Sequence, residues 1–321
     1  MKRRHLLQAA SAALALPALA RAQSYPVKPI RYIVPVAAGG GNDMIARVVT
    51  ERWGRALGQN FVVENQSGGG GVIASQTTAR AAPDGYTLLQ GYVATHGTTP
   101  ATRCVPYDAI RDFTPIGMIG ATPNVLVVGS ALPVKTIAEF SEHLRRNPGR
   151  LNYGSAGPGS LTHLTMELYK QEIGAFILHI PYRGIAPAFS DLLGGQTQAM
   201  FPGLAAALPH LRSGRVRALA VTGRARSAVL PDVPTMEEAG MPKFNIVLWQ
   251  GLVGPAGVPR EIVERLNREF NAAMKRPEVI AAMEGQAFTL VPGTPDSFSA
   301  LVKEQIETYR NLLRQAGVQP E

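Results

Sequence analysis

Apolar runs of strand length alternate along the chain with stretches of helical period. "IRYIVPV" (30–36) leads into 43–58, where Ile45, Val48, Val49, Trp53, Ala56 and Leu57 recur on one face. "NFVVEN" (60–65) leads through "QSGGGG" into a helical stretch at 71–82, and "YTLLQGY" (86–92) follows. The pattern restarts after residue 124 with "NVLVVG", a helix over 134–147, "LNYGS" and a helix over 160–173. It continues with "FILHI", a helix over 186–193, "QAMF", a helix over 203–212 and "VRALAV". "FNIVLWQGLVG" (244–254) precedes two or three amphipathic helices that run to the C-terminus. This alternation predicts an α/β fold of parallel sheets with crossover helices. No low-complexity linker divides the chain, so two domains with more than one crossing between them are expected. "NVLVVGS" and "IVLWQGLVGPAG" are the candidate crossings, each a long apolar strand where the pattern restarts.

The first residues stand outside this pattern. Lys2, Arg3 and Arg4, an apolar stretch from Leu6 to Leu19, and Ala20-Arg21-Ala22 predict an export signal cleaved after Ala22. The stretch is shorter than the ~20 residues a bilayer span needs. Arg3-Arg4 leaves the general and twin-arginine routes both open. Removing residues 1–22 leaves 299, enough for two cores, and takes the net charge from +9 to +5 because only Lys2, Arg3, Arg4 and Arg21 depart. The remaining charge is scattered, which argues against a nucleic-acid footprint. A single cysteine, Cys104, excludes an intramolecular disulfide and a thiolate cluster. With no second spanning stretch, the mature chain is expected to be exported and soluble.

Ligands of open α/β sheets sit beyond the carboxyl ends of strands, in the loops that enter helices. Four such loops are glycine-rich or small: "AAGGGND" (37–43), "ENQSGGGG" (64–71), "GSAGPGSLTH" (154–163) and "PYRGIAPA" (181–188). Glycine lets successive N–H groups turn toward one point, and a helix N-terminus adds about half a positive charge there. Carboxylate or phosphate is therefore favoured. The first loop lacks the lysine and hydroxyl of a nucleotide P-loop and the spacing of a dinucleotide fingerprint. One such loop alone is as well explained by a tight turn; four in matching positions point to one anion. Arg183 is the cation inside these loops, placed either to pair with a ligand carboxylate or to face solvent or the other domain. Asp43 reads as part of the N-cap region of its helix.

Enzyme chemistry finds little footing. "GSAG" around Ser155 is not the Gly-x-Ser-x-Gly elbow, and no Asp and His follow in triad order. His163 could serve Ser155 or Ser160 as a base, or lie in the first turn of its helix and bond locally or to a ligand. The mature histidines lack metal-ligand spacing. Trp53 and Trp249 read as core residues, with Trp249 on the return crossing where it could also edge a cleft.

Eight ordered segments resemble the tripartite tricarboxylate transporter receptors, the Bug or TctC-like extracytoplasmic solute-binding proteins. They are "IVPVAAGGGNDMIAR", "VENQSGGGGVIAS", "APDGYTLL", "LNYGSAGPGSLTHL", "HIPYRGIAPAFSDLLGGQ", "VRALAVTG", "LPDVPTMEEAG" and "WQGLVGPAGVP". The resemblance implies a bilobed Venus-flytrap fold of two Rossmann-like lobes with a ligand cleft between them. Lobe 1 is then 23–124 plus 249–321 and lobe 2 is 125–248. It implies a periplasmic receptor for a small organic acid that serves membrane permease subunits as a monomer, with no cofactor, metal, nucleic acid or catalysis. The loops matching Val36 to Asp43 and Gly154 to Ser160 would grip one carboxylate. Ala38, Gly39 and Asn42 would act through waters and Ser155, Ala156 and Ser160 directly, with Arg183, Gly184 and Ala186 nearby. Ala37, Asp43, Ser67, Gly68, Gly157 and His163 complete the candidate set. Two positions depart from the family: Val36 stands where an aromatic is common, and Ala199 where aspartate is frequent, which argues against an amino-acid ligand. A secreted hydrolase using Ser155 or Ser160 and a sensor presenting ligand to a membrane kinase are the competing readings.

Overall fold

The first apolar run forms β1 (Ile30–Val34), and the helical period after it forms α1 (Gly41–Leu57). In this computed structural model the described residues are 25–39, 41–242, 244 and 246–315, so Gly40 and the export signal with its Ala22 cleavage site lie outside them. α1 buries Ile45, Ala46, Val49, Trp53 and Leu57 against the sheet, and Trp53 stacks on Phe61 with ring centroids 4.7 Å apart. β2 (Phe61–Asn65), α2 (Val72–Ala79), β3 (Thr87–Tyr92) and the short α3 (Thr99–Thr102) follow. β4 (Phe113–Pro123) leads almost directly into β5 (Val125–Gly129). Next come α4 (Ile137–Arg146), β6 (Asn152–Ser155), α5 (Leu161–Ile173), β7 (Leu178–Pro181) and α6 (Ile185–Leu193). β8 (Ala199–Met200), α7 (Leu204–Arg212) and β9 (Val216–Val221) complete the middle of the chain. The return strand β10 (Val247–Pro255) precedes α8 (Arg260–Met274), α9 (Pro277–Glu284), β11 (Thr289–Leu290) and α10 (Pro295–Gln315).

These strands form two sheets. One has six strands in the order β11-β4-β10-β3-β1-β2, the other five in the order β7-β6-β8-β5-β9. Helices cover both faces of each, and each face has its own apolar cluster. The expectation of purely parallel sheets is corrected. β1 runs parallel to β2 and β3, and β6 to β7 and β8, but β10 is antiparallel to β3 and β4, and β5 to β8 and β9. The reason is the route of the chain. β4 leaves the first sheet and β10 re-enters it, so the two crossings lie side by side in opposite directions, from Val247 opposite Pro123 to Pro255 opposite Phe113. The result is a bilobed α/β fold of the Venus-flytrap type.

The crossing point is pinned by polar groups with no exposure. Thr222 N donates to Asn124 O and Asn124 N to Thr222 Oγ1, each at 2.9 Å, and the Thr222 hydroxyl also reaches the Ile246 carbonyl. A second connection is apolar: Leu161 and Leu164 of α5 share a cluster with Tyr309, Leu312 and Leu313 of α10. Among the described residues no helix is long and apolar enough to cross a membrane.

Candidate functional site

A cleft of about 530 Å³ lies between the two sheets, lined from both. The N-terminal ends of four helices meet in it: Gly41 and Asn42 of α1, Thr162 of α5, Ile185 of α6, and Gly203, Ala205 and Ala206 at the start of α7. Each end carries about half a positive charge on unbonded N–H groups. No carboxylate lines the cleft among the described residues, and Arg212 is its one charged side chain. The walls are otherwise apolar, from Met44, Ile45, Leu208, Pro209, Leu248 and Trp249. The field inside is positive and built chiefly of dipoles.

The floor is a chain of amides. Gln250 Nε2 donates to Asn42 Oδ1 at 3.0 Å, and the buried Gln90 donates to the Asn42 carbonyl at 3.1 Å and to Gln250 Oε1. Asn42 is thereby fixed from two sides, with its helix N-terminus turned to the cleft.

The loop before α1 is organised by Asp43, which is 3% exposed. Its carboxylate accepts from Gly39 N at 2.9 Å, Arg47 Nε at 3.0 Å and Asn65 Nδ2 at 3.0 Å, while Asn65 also donates to Val36 O at 3.1 Å. Burial opposes ionisation of Asp43, but Arg47, the Gly39 N–H and Asn65 together hold its carboxyl below the usual range. Asp43 and Val36 thus shape the loop, and Ala37, Ala38 and Gly39 are left exposed on it. Gly39 has φ 83°, a left-handed conformation that favours glycine.

The loop before α5 is held from beneath. Ser155 is fully buried; its hydroxyl lies 2.6 Å from His179 Nε2 and accepts from Gly157 N at 3.1 Å. Ser160 caps α5, its hydroxyl donating to Gly157 O at 2.6 Å and accepting from His163 N at 3.4 Å. Thr162 Oγ1 accepts from Ala156 N at 2.9 Å. His163 turns away from the cleft. Its Nδ1 accepts from Gly159 N at 3.1 Å, and its ring stacks on His179 at 4.1 Å, with the Tyr153 ring also against His179 at 4.8 Å. Burial is the main cause that lowers both imidazoles, His179 to about 4. Both histidines are therefore neutral at pH 7, and the partner of Ser155 is His179, not the His163 considered from the sequence.

Of the sequence-predicted residues, Asn42 and Ala156 line the cleft directly. Ala37, Ala38, Gly39, Gly157 and Ser160 belong to the two loops that frame it, while Ser155, Asp43, Val36 and His163 lie behind those loops. Gly184, with φ 120°, and the exposed Ala186 flank the lining residue Ile185, and Arg183 is exposed beside them. Ser67 and Gly68 are exposed on a turn in which Gly68, Gly69, Gly70 and Gly71 all have positive φ, a conformation sufficient to explain that glycine run. Ala199 is fully buried in β8, opposite Val128 and Tyr153. Tyr92, Thr122, Leu248, Gln250, Gln286 and Arg212 line the cleft and were not predicted. They come from strand ends, a helix C-terminus and a turn, where no glycine pattern marks them; Trp249, expected as core and as a possible cleft edge, is both.

Two lobes around a positively polarised cleft define a bilobed solute-binding protein. The chain belongs to the receptor family of the tripartite tricarboxylate transporters, whose sequence profile matches residues 45–318. It is 36% identical over 310 residues to protein BugT of Bordetella pertussis, covering 96% of this chain and 94% of that protein. Among solved structures it is similar to Rpa4515 of R. palustris with adipate, with TM-score 0.82, 34% identity, and coverage of 92% of this chain and 100% of that one. It is also similar to MatC of Rhodopseudomonas palustris with bound malate, with TM-score 0.76, 32% identity, and coverage of 90% and 100%. The family is one of periplasmic solute-binding receptors.

Proposed function

We propose that this protein captures a small organic acid in the periplasm and delivers it, as a monomer, to the membrane subunits of a tripartite transporter. The observation that carries the reading is the convergence of four helix N-termini on a cleft that holds no carboxylate. A carboxylate there would be held by oriented N–H groups in a water-poor site, where such contacts are stronger than in bulk water. An ammonium group would meet the same dipoles unfavourably. The adipate of Rpa4515 and the malate of MatC support the ligand class. Ala38 and Asn42 are the residues we assign to the first carboxylate, with Gly39, Ala156 and Ser160, whose donors are bonded within their own loops, shaping the walls around it. The lobes are assigned as 23–124 plus 249–321 and 125–248, in line with the two sheets meeting at Asn124 and near Ile246.

A non-catalytic role is supported by Ser155, whose hydroxyl has no exposure and is engaged by His179 and Gly157 N. Ser160 is committed to its helix cap. A thermal-shift screen over mono-, di- and tricarboxylates with their amides tests the reading. Saturation at 100 times the dissociation constant stabilises by about 2.7 kcal/mol. Stabilisation by amines or neutral amides, with none by acids, would contradict it.

A further inference from the structure

The wall formed by α7 has a chemistry of its own. Ala205 and Ala206 at its positive end, Leu208 and Pro209 in its middle, and Arg212 at its last turn all face the cleft. A ligand lying along this helix meets N–H dipoles, then an apolar strip, then a guanidinium. Leu204 and Arg212 are about 12 Å apart along the axis, and helical side chains lean toward the N-terminus, which brings the arginine back over the strip. Arg212 forms no ion pair or hydrogen bond with any described residue, unlike Arg31, Arg47 and Arg226, which all pair with acids. Next to α7, Gly285 and Gln286 of the turn after α9 also line the cleft. Ala287 in that turn has φ 56°, the one positive φ outside glycine among the described residues, and packs with Leu204, Ala207 and Leu208. That packing seats the turn against α7, with Gln286 at the same wall as Arg212.

We propose that Arg212 is a specificity-determining residue that binds a second acidic group at the far end of the cleft, so that the preferred ligand is a diacid with an apolar spacer. The proposal rests on the carboxylate reading above. The competing role for an arginine at a helix C-terminus is to complement the helix dipole, and that role would not distinguish ligands. Calorimetry with straight-chain α,ω-diacids of four to eight carbons, each paired with its monomethyl ester, separates the two. Wild type should bind at least one diacid ten or more times tighter than its monoester. Arg212→Met should erase that ratio while leaving monoester affinity within twofold, and Arg212→Lys should restore part of it. Arg212 is exposed, so folding should be unaffected. A wild type that binds no diacid better than its monoester, or an Arg212→Met variant that keeps the ratio, would overturn the proposal. If neither diacids nor monoesters bind while neutral or cationic analogues do, the carboxylate reading itself fails with it.

Discussion

Ser155 Oγ and His179 Nε2 lie 2.6 Å apart beneath the loop that enters α5, and this contact ties the loop to the lobe interior. The same hydroxyl accepts from Gly157 N. Ser155→Ala would leave a buried N–H and an imidazole nitrogen without a partner, a loss of about 1–3 kcal/mol. The expected result is a lower melting temperature in the ligand-free protein together with weaker ligand binding. Unchanged ligand-free melting with weaker binding would instead place the hydroxyl on the ligand.

Protonation should undo the same support. His179 is lowered to about 4 and His163 is also lowered, chiefly by burial, with Lys170 opposing the charge and Glu167 favouring it. A group whose folded pKa lies below its unfolded value of about 6.5 binds more protons when unfolded. Stability should therefore fall as pH drops from about 6.5 toward 4. His179→Gln should flatten that slope in denaturant midpoints measured across this range. A residual slope is expected from His96, which is buried and lowered to about 3. A slope identical in the variant would show that His179 does not contribute.

Asp43 acts in a lower window. Its carboxyl is held below the usual range, so its contribution is present above about 3.9 and is lost as pH falls through the folded value. Asp43→Ala should cost about 1–3 kcal/mol and weaken ligand binding, because the Gly39 N–H and Asn65 lose their acceptor. Hydrogen exchange should show the 37–41 loop less protected. Wild-type protection in the variant would leave the loop fixed by other contacts.

Gly159 abuts the other lobe. It has φ 69°, and a Cβ there would lie 2.6 Å from Thr102 Cγ2 of the other lobe. Gly159→Val should hold the lobes apart and, on the expectation that ligand draws the lobes together, reduce ligand affinity at least tenfold. Small-angle scattering at saturating ligand should give the variant a larger radius of gyration than wild type. Affinity within twofold of wild type would mean that closure does not use this contact.

Periodicity made most of the fold legible: the helix read at 43–58 is Gly41–Leu57, and those read at 160–173 and 203–212 match within two residues. β4 went unread because "FTPIGMIGATP" looks like a loop. Its glycines are there because neighbours crowd the strand: a Cβ at Gly120 would lie 2.1 Å from Thr289 O, and one at Gly117 would lie 2.7 Å from Asn267 Nδ2. Strand direction was also hidden, since nothing in β10 itself says that it returns beside β4. The two framing loops could be found because glycine and small residues mark them. Arg212 and Gln286 could not, because only the approach of α7 to the turn after α9 brings them to the cleft.

In the proposed function, oriented helix termini hold an anion. Titration calorimetry of the acid that stabilises the protein most, against the primary amide of the same skeleton, tests it most directly. The amide keeps the shape and hydrogen-bonding capacity but removes the charge that the dipoles favour. The acid should bind at least 100-fold tighter at pH 7. Equal affinity, or preference for the amide, would contradict it.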